Sequence, residues 1–430
     1  MKDSTTITLE NSSPMAPGAR PPLSTSLRKE LLRIPVLVAA LGYMVDMYDL
    51  FLFSIIRVPS LRSLRLSDEG IMRGGIILLN LQMAGLLIGG LVWGIMGDKK
   101  GRLSVLFGSI LIYSLANIGN GFVTSFAAYA VLRFIAGFGL AGELGAGITL
   151  VTEILPAKIR GYGSTLVATM GVFGAMLAYL ASWLFNWRVS FFIGGGLGLM
   201  LMATQIKVFE SSVFVKLKEK GVKRGDIRML FNNKKRFTKY ITSIIIGMPI
   251  WFVTGIIITF SPEIGRAMGL AQPVDAGKAV LCAFAGQVAG NIISGWLSNY
   301  LQSRKKVIFL FMVFSLVFAM GFLLWPQKQT SLFYVFSALV GFSSGYWTLF
   351  ITVGAELFGS NIRATVATTV PNFVRGTVIP LTALFVLMKS HVGTIYGVLI
   401  VGLITYSLSL IALVFLEETF KKDLNFIEND

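Results

Sequence analysis

The chain has 430 residues, of which 54% are hydrophobic and only 14% are charged, and it contains 46 glycines. A water-soluble protein of this length needs more charge to cover its surface, which argues against a soluble enzyme or binding domain. The net charge of +17 would suggest nucleic acid in a soluble protein. Here the basic residues lie between apolar runs, so they indicate membrane topology and no nucleic-acid partner.

The N-terminal segment at 1–33 is polar and rich in Ser, Thr and Pro. It lacks the short apolar core of a cleavable signal peptide, so we expect a disordered cytoplasmic tail. The one cysteine, Cys282, lies within an apolar run and has no partner for an intramolecular disulfide. No cluster of His, Cys and carboxylates has the spacing of metal ligands, so we expect neither a metal nor a cofactor.

Apolar runs of roughly 20 residues recur from Ile34 to Leu416, and each is long enough to cross a hydrocarbon core of about 30 Å. Because backbone polar groups in lipid must be paired within the segment, each run is predicted to be a helix. The twelve predicted spans, numbered one to twelve, are 34–57, 70–96, 103–123, 126–152, 162–185, 188–207, 240–262, 275–301, 306–325, 331–356, 364–388 and 393–416.

The basic residues predict the orientation of these spans. With both termini inside, the inner segments hold 27 Lys and Arg and the outer loops hold 9, which predicts cytoplasmic termini. The richest inner segment is a basic cytoplasmic linker at 208–239. It separates a six-span bundle at 34–207 from a second bundle at 240–416, which a cytoplasmic tail at 417–430 follows.

Two motifs recur in the two halves. Gly94–Arg102 follows span two, and Gly295–Arg304 follows span eight, 201 residues later. Glu153–Arg160 ends span four, and Glu356–Arg363 ends span ten, 203 residues later. Matching motifs at nearly one offset predict two structural repeats with a solute site between them near the midplane. The predicted fold class is an all-α membrane protein with twelve transmembrane helices in two pseudo-symmetric six-helix bundles.

The motifs carry a resemblance to a known family. Gly94–Arg102, with Asp98, Gly101 and Arg102 at its key positions, resembles the loop motif of the major facilitator superfamily, and Leu132–Gly137 resembles its span-four arginine motif. Other segments are similar to particular groups: Gly142–Gly145 and Glu210–Phe214 to metabolite:proton symporters, Glu153–Gly161 to sugar porters and organic-ion carriers, and Asp46–Phe51 to phosphate and aromatic-acid symporters. The resemblance implies the major facilitator fold and a secondary active transporter, not an enzyme. Asn299, in the second-half loop, departs from the Asp98 pattern.

Charged residues deep within spans cost several kcal/mol, so each is a functional candidate. Asp46 and Asp49 lie three residues apart on one face of span one, and Arg133 lies at a similar depth in span four. Sugar porters that use protons pair an aspartate at the Asp49 position with an arginine at the Arg133 position. The resemblance therefore implies a reversible, proton-coupling ion pair, and a static pair is the alternative. Glu143 lies about 15 Å nearer the cytoplasm. Its functional interpretation is a second proton site or a contact for a solute donor. The alternative is a glutamate that is hydrogen-bonded between helices.

Candidate solute contacts lie mainly in the second half. Arg375, about halfway through span eleven, stays protonated and is able to hold a carboxylate or phosphate. Organic-anion carriers of the superfamily have an arginine in this span, so the resemblance implies an anionic solute. The alternative is a pair between Arg375 and a first-half carboxylate such as Asp46. A polar and aromatic lining of the solute site is predicted from Gln82, Trp251, Gln287, Asn291, Tyr346, Trp347 and Asn372.

A third group of charges lies at the predicted inner face. We expect these residues to form a latch for the outward-open state, with topology signalling alone as the alternative. They are Asp98, Arg102, Glu153, Arg160, Glu356 and Arg363.

The resemblance and these residues together predict proton-coupled symport of a small organic anion, a carboxylate, by alternating access. The expected location is the cell inner membrane, with the solute, protons and the lipid bilayer as partners and a monomeric chain. Two alternatives stay open: an inorganic phosphate:proton symporter, and an uncoupled facilitator of a small polar solute.

Overall fold

The computed structural model describes residues 30–155, 160–205, 228–325, 329–359 and 362–420. Within these ranges every regular element is helical. The predicted tails at 1–33 and 417–430 and the predicted linker at 208–239 lie partly or largely outside the described residues, so the domain boundaries stay predictions.

Spans one to six consist of the helices Ile34–Ser63, Asp68–Lys100, Arg102–Gly121, Phe126–Leu140 with Glu143–Ile154, Arg160–Leu184, and Trp187–Gln205. A short helix, Arg228–Phe231, precedes span seven. Spans seven to ten consist of Lys234–Phe252 with the π-helix Val253–Ile258 and the short helix Ser261–Ala267, then Ala276–Leu301, Arg304–Leu324, and Thr330–Ser343 with Trp347–Glu356. The helices Arg363–Gly376 and Val378–Val414 follow. Span eleven is Arg363–Gly376 with the part of Val378–Val414 before Gly393, and span twelve is the part after it.

Eleven helical stretches in the described ranges are long and apolar enough to cross a membrane. The last of them, Thr365–Val414, has 50 residues, about 75 Å of helix and more than twice a hydrocarbon core of about 30 Å. Gly393 breaks this stretch with φ 81° and ψ 175°, a backbone conformation that glycine adopts readily. The stretch therefore contains spans eleven and twelve, and the predicted twelve-span, all-α fold class is confirmed.

Short polar residues cap several spans. Ser67 Oγ accepts a hydrogen bond from the backbone N–H of Gly70 at 3.2 Å, and Asp275 Oδ1 accepts one from Lys278 at 2.7 Å. Such a cap pairs one of the backbone donors that the first turn of a helix leaves free. These two caps set where spans two and eight, equivalent helices of the two halves, begin.

The same pairs of helices approach closely in each half. A Cβ atom at Gly85 of span two would lie 2.2 Å from the carbonyl oxygen of Phe134 in span four. A Cβ atom at Gly286 of span eight would lie 2.0 Å from the carbonyl oxygen of Ala338 in span ten. Only glycine allows this approach, and small residues at helix interfaces are typical of membrane proteins. The two glycines are 201 residues apart, so the predicted repeat is also a repeat of packing.

Spans four and ten differ from the continuous helices predicted at 126–152 and 331–356. Ala141–Gly142 separates the two helices of span four, and Ser344–Tyr346 separates those of span ten. A Cβ atom at Gly345 would lie 2.3 Å from the backbone carbon of Gly290 in span eight, so the interruption coincides with backbone-to-backbone contact. Span seven also departs from a regular helix, at the π-helix Val253–Ile258. π-Helical turns are frequent at functional sites.

Candidate functional site

A small cavity of about 20 Å³ lies between the two halves. The first half contributes spans one and five to its wall, and the second half contributes spans seven, eight and ten. The wall consists of Tyr43, Met47, Phe51, Ala168, Val172, Ile250, Trp251, Thr254, Phe284, Gln287, Asn291 and Trp347. It is mainly aromatic and apolar, with a few amide and hydroxyl groups.

The aromatic rings form a continuous surface across the interface. The ring centroid of Phe51 lies 4.1 Å from that of Phe284 and 6.3 Å from that of Trp251, with an interplanar angle of 14° to the latter. Trp347 Nε1 donates a hydrogen bond to Tyr43 Oη at 3.0 Å. The cavity has room for about one water molecule, so a planar solute would contact both halves only after these rings move apart to admit it.

Four of the predicted lining residues are on this wall: Trp251, Gln287, Asn291 and Trp347. Gln82, Tyr346, Asn372 and Arg375 are buried but lie off the wall in this conformation. Tyr346 Oη donates to the carbonyl oxygen of Ile246 at 3.1 Å. Asn372 Nδ2 donates to the carbonyl oxygens of Ala141 and Thr368, both at 2.8 Å. These two side chains therefore pair with backbone, and their predicted solute contacts would need a different conformation.

Arg375 is paired with Asp46 across the two halves. Arg375 Nη2 donates to Asp46 Oδ2 at 3.1 Å, and both side chains are fully buried. Asp46 Oδ1 and Arg375 Nε make no hydrogen bond among the described residues. The guanidinium carbon lies 5.8 Å from the ring centroid of Trp251, so Arg375 is directly behind the cavity wall. The pairing that the sequence left as an alternative is thus present.

Asp49 and Arg133 are brought together, as predicted. Arg133 Nη1 lies 3.7 Å from Asp49 Oδ1, and both side chains are fully buried. This distance is too long for a hydrogen bond, and none of the charged atoms of either group makes one within the described ranges. The guanidinium carbon of Arg133 lies 4.8 Å from the ring centroid of Phe53 and 5.8 Å from that of Phe191. Arg133 therefore keeps a cation–π environment when Asp49 is neutral.

Glu143 begins the second helix of span four and is buried. Its Oε1 accepts a hydrogen bond from Ser109 Oγ at 2.8 Å. A Cβ atom at Gly42 would lie 2.7 Å from Glu143 Oε2, so this carboxyl lies against span one, about one turn before Asp46. The hydrogen-bonded role between helices is observed, and the proton-site and solute-contact roles stay predictions.

Span three contributes a polar face that the sequence reasoning missed. Tyr113, Ser114, Asn117 and Asn120 are fully buried, and each has a side-chain atom without a hydrogen bond among the described residues. Tyr113 lies within electrostatic range of both Asp49 and Glu143. Asn117 lies four residues after Tyr113 and three after Ser114, and Asn120 lies three after Asn117. This spacing, which gathers the four side chains on one side of the helix, was the available signal.

The loop motif forms a contact between the halves. We call the end of the helices that bears this motif the motif end. Asp98 Oδ2 accepts hydrogen bonds from Thr365 N at 2.9 Å and Thr365 Oγ1 at 2.6 Å, and Asp98 Oδ1 lies 3.3 Å from Arg102 Nη1. Because Thr365 is in the first turn of span eleven, the carboxylate also faces the positive end of that helix. Asp98 therefore joins span two of the first half to span eleven of the second half.

The four other predicted latch residues differ in their contacts, and two of them have side chains that are not described. Glu356 lies 3.4 Å from Arg304 and accepts a hydrogen bond from Thr419 at 2.6 Å, so it joins elements of the second half. Arg363 donates to the carbonyl oxygen of Phe358 at 3.4 Å. The side chains of Glu153 and Arg160 lie outside the described residues. A latch role stays a prediction for all six residues, including Asp98 and Arg102.

The opposite end of the helices, which we call the far end, has a second contact between the halves. Arg57 is fully buried, and its Nη2 lies 2.8 Å from both carboxylate oxygens of Glu263. Ser54 Oγ lies 3.0 Å from Thr259 Oγ1. The sequence analysis did not single out Arg57, the last residue of predicted span one, because hydropathy does not show which way a residue at the end of a span points. With contacts at both ends and a cavity between them, this conformation is occluded.

A family model described as the Major Facilitator Superfamily matches residues 39–378. The chain belongs to the major facilitator superfamily. It is therefore a multi-pass membrane transporter and not an enzyme, as the resemblance implied.

Curated relatives within the superfamily match most of this chain. A probable 4-methylmuconolactone transporter of Cupriavidus pinatubonensis is 25% identical, with 88% of this chain and 89% of the relative covered. The benzoate transport protein of Acinetobacter baylyi is 24% identical, with 77% and 78% covered. A putative niacin/nicotinamide transporter of Bacillus subtilis is 24% identical, with 85% and 86% covered.

Solved structures of the superfamily share the fold. The proton:xylose symporter XylE has a TM-score of 0.70 and 17% sequence identity, with 93% of this chain and 98% of that chain covered. At this identity the likeness supports the twelve-span architecture and says nothing about the solute of this major facilitator chain.

Proposed function

We propose that this transporter is a proton-coupled symporter of a small, planar organic anion, an aromatic or conjugated carboxylate. In this proposal it lies in the cell inner membrane with both termini in the cytoplasm, so the motif end faces the cytoplasm and the far end faces outward. The bacterial relatives named for benzoate, niacin and 4-methylmuconolactone support the solute class.

One observation supports this solute class most strongly: an aromatic cavity directly in front of a buried arginine. Rings such as Phe51 and Trp251 suit an apolar, planar solute body, which stacks or packs edge to face. Arg375, 5.8 Å from the Trp251 ring, suits a carboxylate because its guanidinium is able to bind both oxygens. In the occluded conformation Asp46 occupies this guanidinium, so the solute's carboxylate would replace that of Asp46.

Charge neutrality of the buried centre supports proton coupling. Asp46, Asp49, Arg133 and Arg375 form two opposite-charge pairs with no exposed surface. Their formal charges sum to zero, with the nearby buried Glu143, which is hydrogen-bonded to Ser109, counted as protonated. An anion alone or a proton alone would leave one uncompensated charge in a medium where this is costly. One monovalent anion entering together with one proton keeps the sum at zero. Symport is therefore the movement that the charges favour.

Asp49 is the carboxylate best suited to carry the proton. Its 3.7 Å separation from Arg133 and the lack of hydrogen bonds to either oxygen within the described ranges leave a weak pair that a proton is able to separate. Arg133 is retained by Phe53 and Phe191 in the meantime. When the proton leaves toward the cytoplasm, the pair re-forms and the empty carrier returns.

The two alternatives from the sequence are less well supported. Inorganic phosphate needs many hydrogen-bond donors, whereas the cavity wall is mainly aromatic and apolar. An uncoupled facilitator for a neutral solute has no use for two buried ion pairs at the centre, which cost free energy to bury.

Competition between matched solutes tests the proposed solute class. In liposomes containing the purified protein, we expect uptake of labelled nicotinate above that of protein-free liposomes, since undissociated acid also diffuses. Benzoate and cis,cis-muconate should inhibit this uptake, whereas nicotinamide and phosphate should not, because a carboxylate is needed to replace Asp46 on Arg375. Inhibition by phosphate, equal inhibition by nicotinamide, or no protein-dependent uptake of any of the three carboxylates would contradict the proposal.

A further inference from the structure

The far end of the interface holds a buried anion site whose present occupant is a carboxylate of the chain itself. Arg57 of span one is fully buried, and one of its nitrogens, Nη2, binds both oxygens of Glu263 at 2.8 Å. The same nitrogen donates to the carbonyl oxygen of Thr259 at 3.3 Å. Nε and Nη1 make no hydrogen bond among the described residues, although both are buried. Glu263 therefore binds one of the three guanidinium nitrogens of Arg57.

The surroundings keep this guanidinium in place whether or not Glu263 is bound. Its carbon lies 4.7 Å from the ring centroid of Phe260, a cation–π contact. A Cβ atom at Gly75 would lie 2.6 Å from Arg57 Cδ and 2.9 Å from Nη1, so span two confines the side chain from the other direction. Glu263, by contrast, is at the rim, with 18% of its side chain exposed. Arg57 is the fixed partner and Glu263 is the one that is able to leave.

The contact also joins the two halves. Arg57 and Ser54 are on span one, whereas Thr259 and Glu263 follow the π-helix of span seven. A more exposed contact between Arg266 and Asp68, at 3.8 Å, spans the same interface. The far end therefore cannot open while Glu263 stays on Arg57.

We propose that Arg57 and Glu263 form an outer latch opened by carboxylate exchange: an external carboxylate displaces that of Glu263 from Arg57 as the halves part. Arg57 would then be the first anion-binding residue on the route to Arg375. The exchange step rests on the proposed solute class, whereas the latch itself does not. Because one carboxylate replaces another, no charge is left unpaired at Arg57 during opening, and the leaving Glu263 is hydrated at the rim.

Labelling of a cavity cysteine tests the latch without using transport. Cys282→Ser removes the one native cysteine, and Thr254→Cys places a thiol on the cavity wall. In right-side-out vesicles, Glu263→Gln should raise the rate of labelling by an impermeant maleimide severalfold. Glu69→Gln is the matched control, because the contact of Glu69 with Arg73 at the far end is exposed and does not join the two halves. An unchanged rate for Glu263→Gln would overturn the latch.

Two further variants separate closure by the ion pair from the effect of leaving Arg57 without a partner. The double variant Arg57→Gln with Glu263→Gln leaves no buried unpaired charge, and it should also label faster if the pair closes the far end. Ser54→Cys with Thr259→Cys, whose native hydroxyl oxygens lie 3.0 Å apart, should form a disulfide on oxidation that blocks labelling of the cavity cysteine until it is reduced. Labelling that continues in the oxidised protein would also overturn the latch.

Added solutes test the exchange step. With Glu263 present, nicotinate should raise the labelling rate toward that of Glu263→Gln, and nicotinamide should not. If both solutes raise the rate equally, or if transported nicotinate leaves it unchanged, exchange at Arg57 is wrong. Failure of the proposed solute class would instead appear as no protein-dependent uptake of nicotinate in the native protein, with the effect of Glu263→Gln on labelling still present.

Discussion

Replacing Arg375 by alanine is expected to abolish saturable, protein-dependent uptake of nicotinate. Truncating one partner of a buried, hydrogen-bonded charge pair typically costs about 2–5 kcal/mol, or roughly thirtyfold or more in an equilibrium constant. The substitution also gives the buried centre a net negative charge, which repels the anion. Initial rates of uptake over a range of nicotinate concentrations measure the effect, and Arg62→Ala, at an exposed arginine, is the matched control.

A second variant separates anion binding from folding, since Arg375→Ala leaves Asp46 buried without its partner. Such a break costs about 3–5 kcal/mol of stability, whereas removing both charges together is often neutral. Asp46→Asn with Arg375→Gln should therefore recover the thermal stability of the native protein without recovering nicotinate uptake. If this double variant transports nicotinate with native affinity, the pair is purely structural and Arg375 does not bind the solute.

Asp49→Asn is expected to uncouple transport from protons. The substitution makes the centre permanently positive by one charge, so an anion is able to enter without a proton. The native protein, given a pH difference of one unit and no membrane potential, should concentrate nicotinate about tenfold per coupled proton, since one unit is worth about 1.4 kcal/mol. The variant should reach only equal concentrations on both sides once passive diffusion of the undissociated acid is subtracted.

Exchange transport supplies the control for this variant. Counterflow of labelled against unlabelled nicotinate needs no net proton movement, so Asp49→Asn should retain it if the protein is folded. The double variant Asp49→Asn with Arg133→Gln removes the unpaired positive charge and restores neutrality at the centre. It should also fail to accumulate nicotinate. An Asp49→Asn protein that still concentrates nicotinate against its gradient would show that another carboxylate carries the proton.

The architecture is predictable from sequence patterns because a segment in lipid must pair its own backbone polar groups, which leaves the helix as the available conformation. Apolar length alone predicts twelve helices, and Gly393 marks the break between the last two. The interruptions in spans four and ten were missed, although the glycine run up to Gly142 and the Ser-Ser-Gly before Tyr346 were visible. Small residues permit a break without requiring it, so only the packing of neighbouring helices decides whether one occurs.

The charged residues of the candidate site could be predicted from the sequence, but their pairing could not. Charges deep in a span attract attention because they are costly there, which is why Asp46, Asp49, Arg133 and Arg375 were recognised. Which charge pairs with which depends on helix rotation and on the conformational state, and hydropathy reports neither. Arg57, at the end of predicted span one, was therefore not recognised as a candidate although it is fully buried.

Proton-coupled symport is decided by measuring the protons that enter with the solute. Liposomes containing the native protein and a trapped pH-sensitive dye receive external nicotinate without an imposed gradient, with protein-free liposomes as the reference for diffusion of the acid. We predict protein-dependent acidification of the interior that matches nicotinate entry proton for anion and is absent in Asp49→Asn. Protein-dependent nicotinate entry with no accompanying protons would rule out proton-coupled symport.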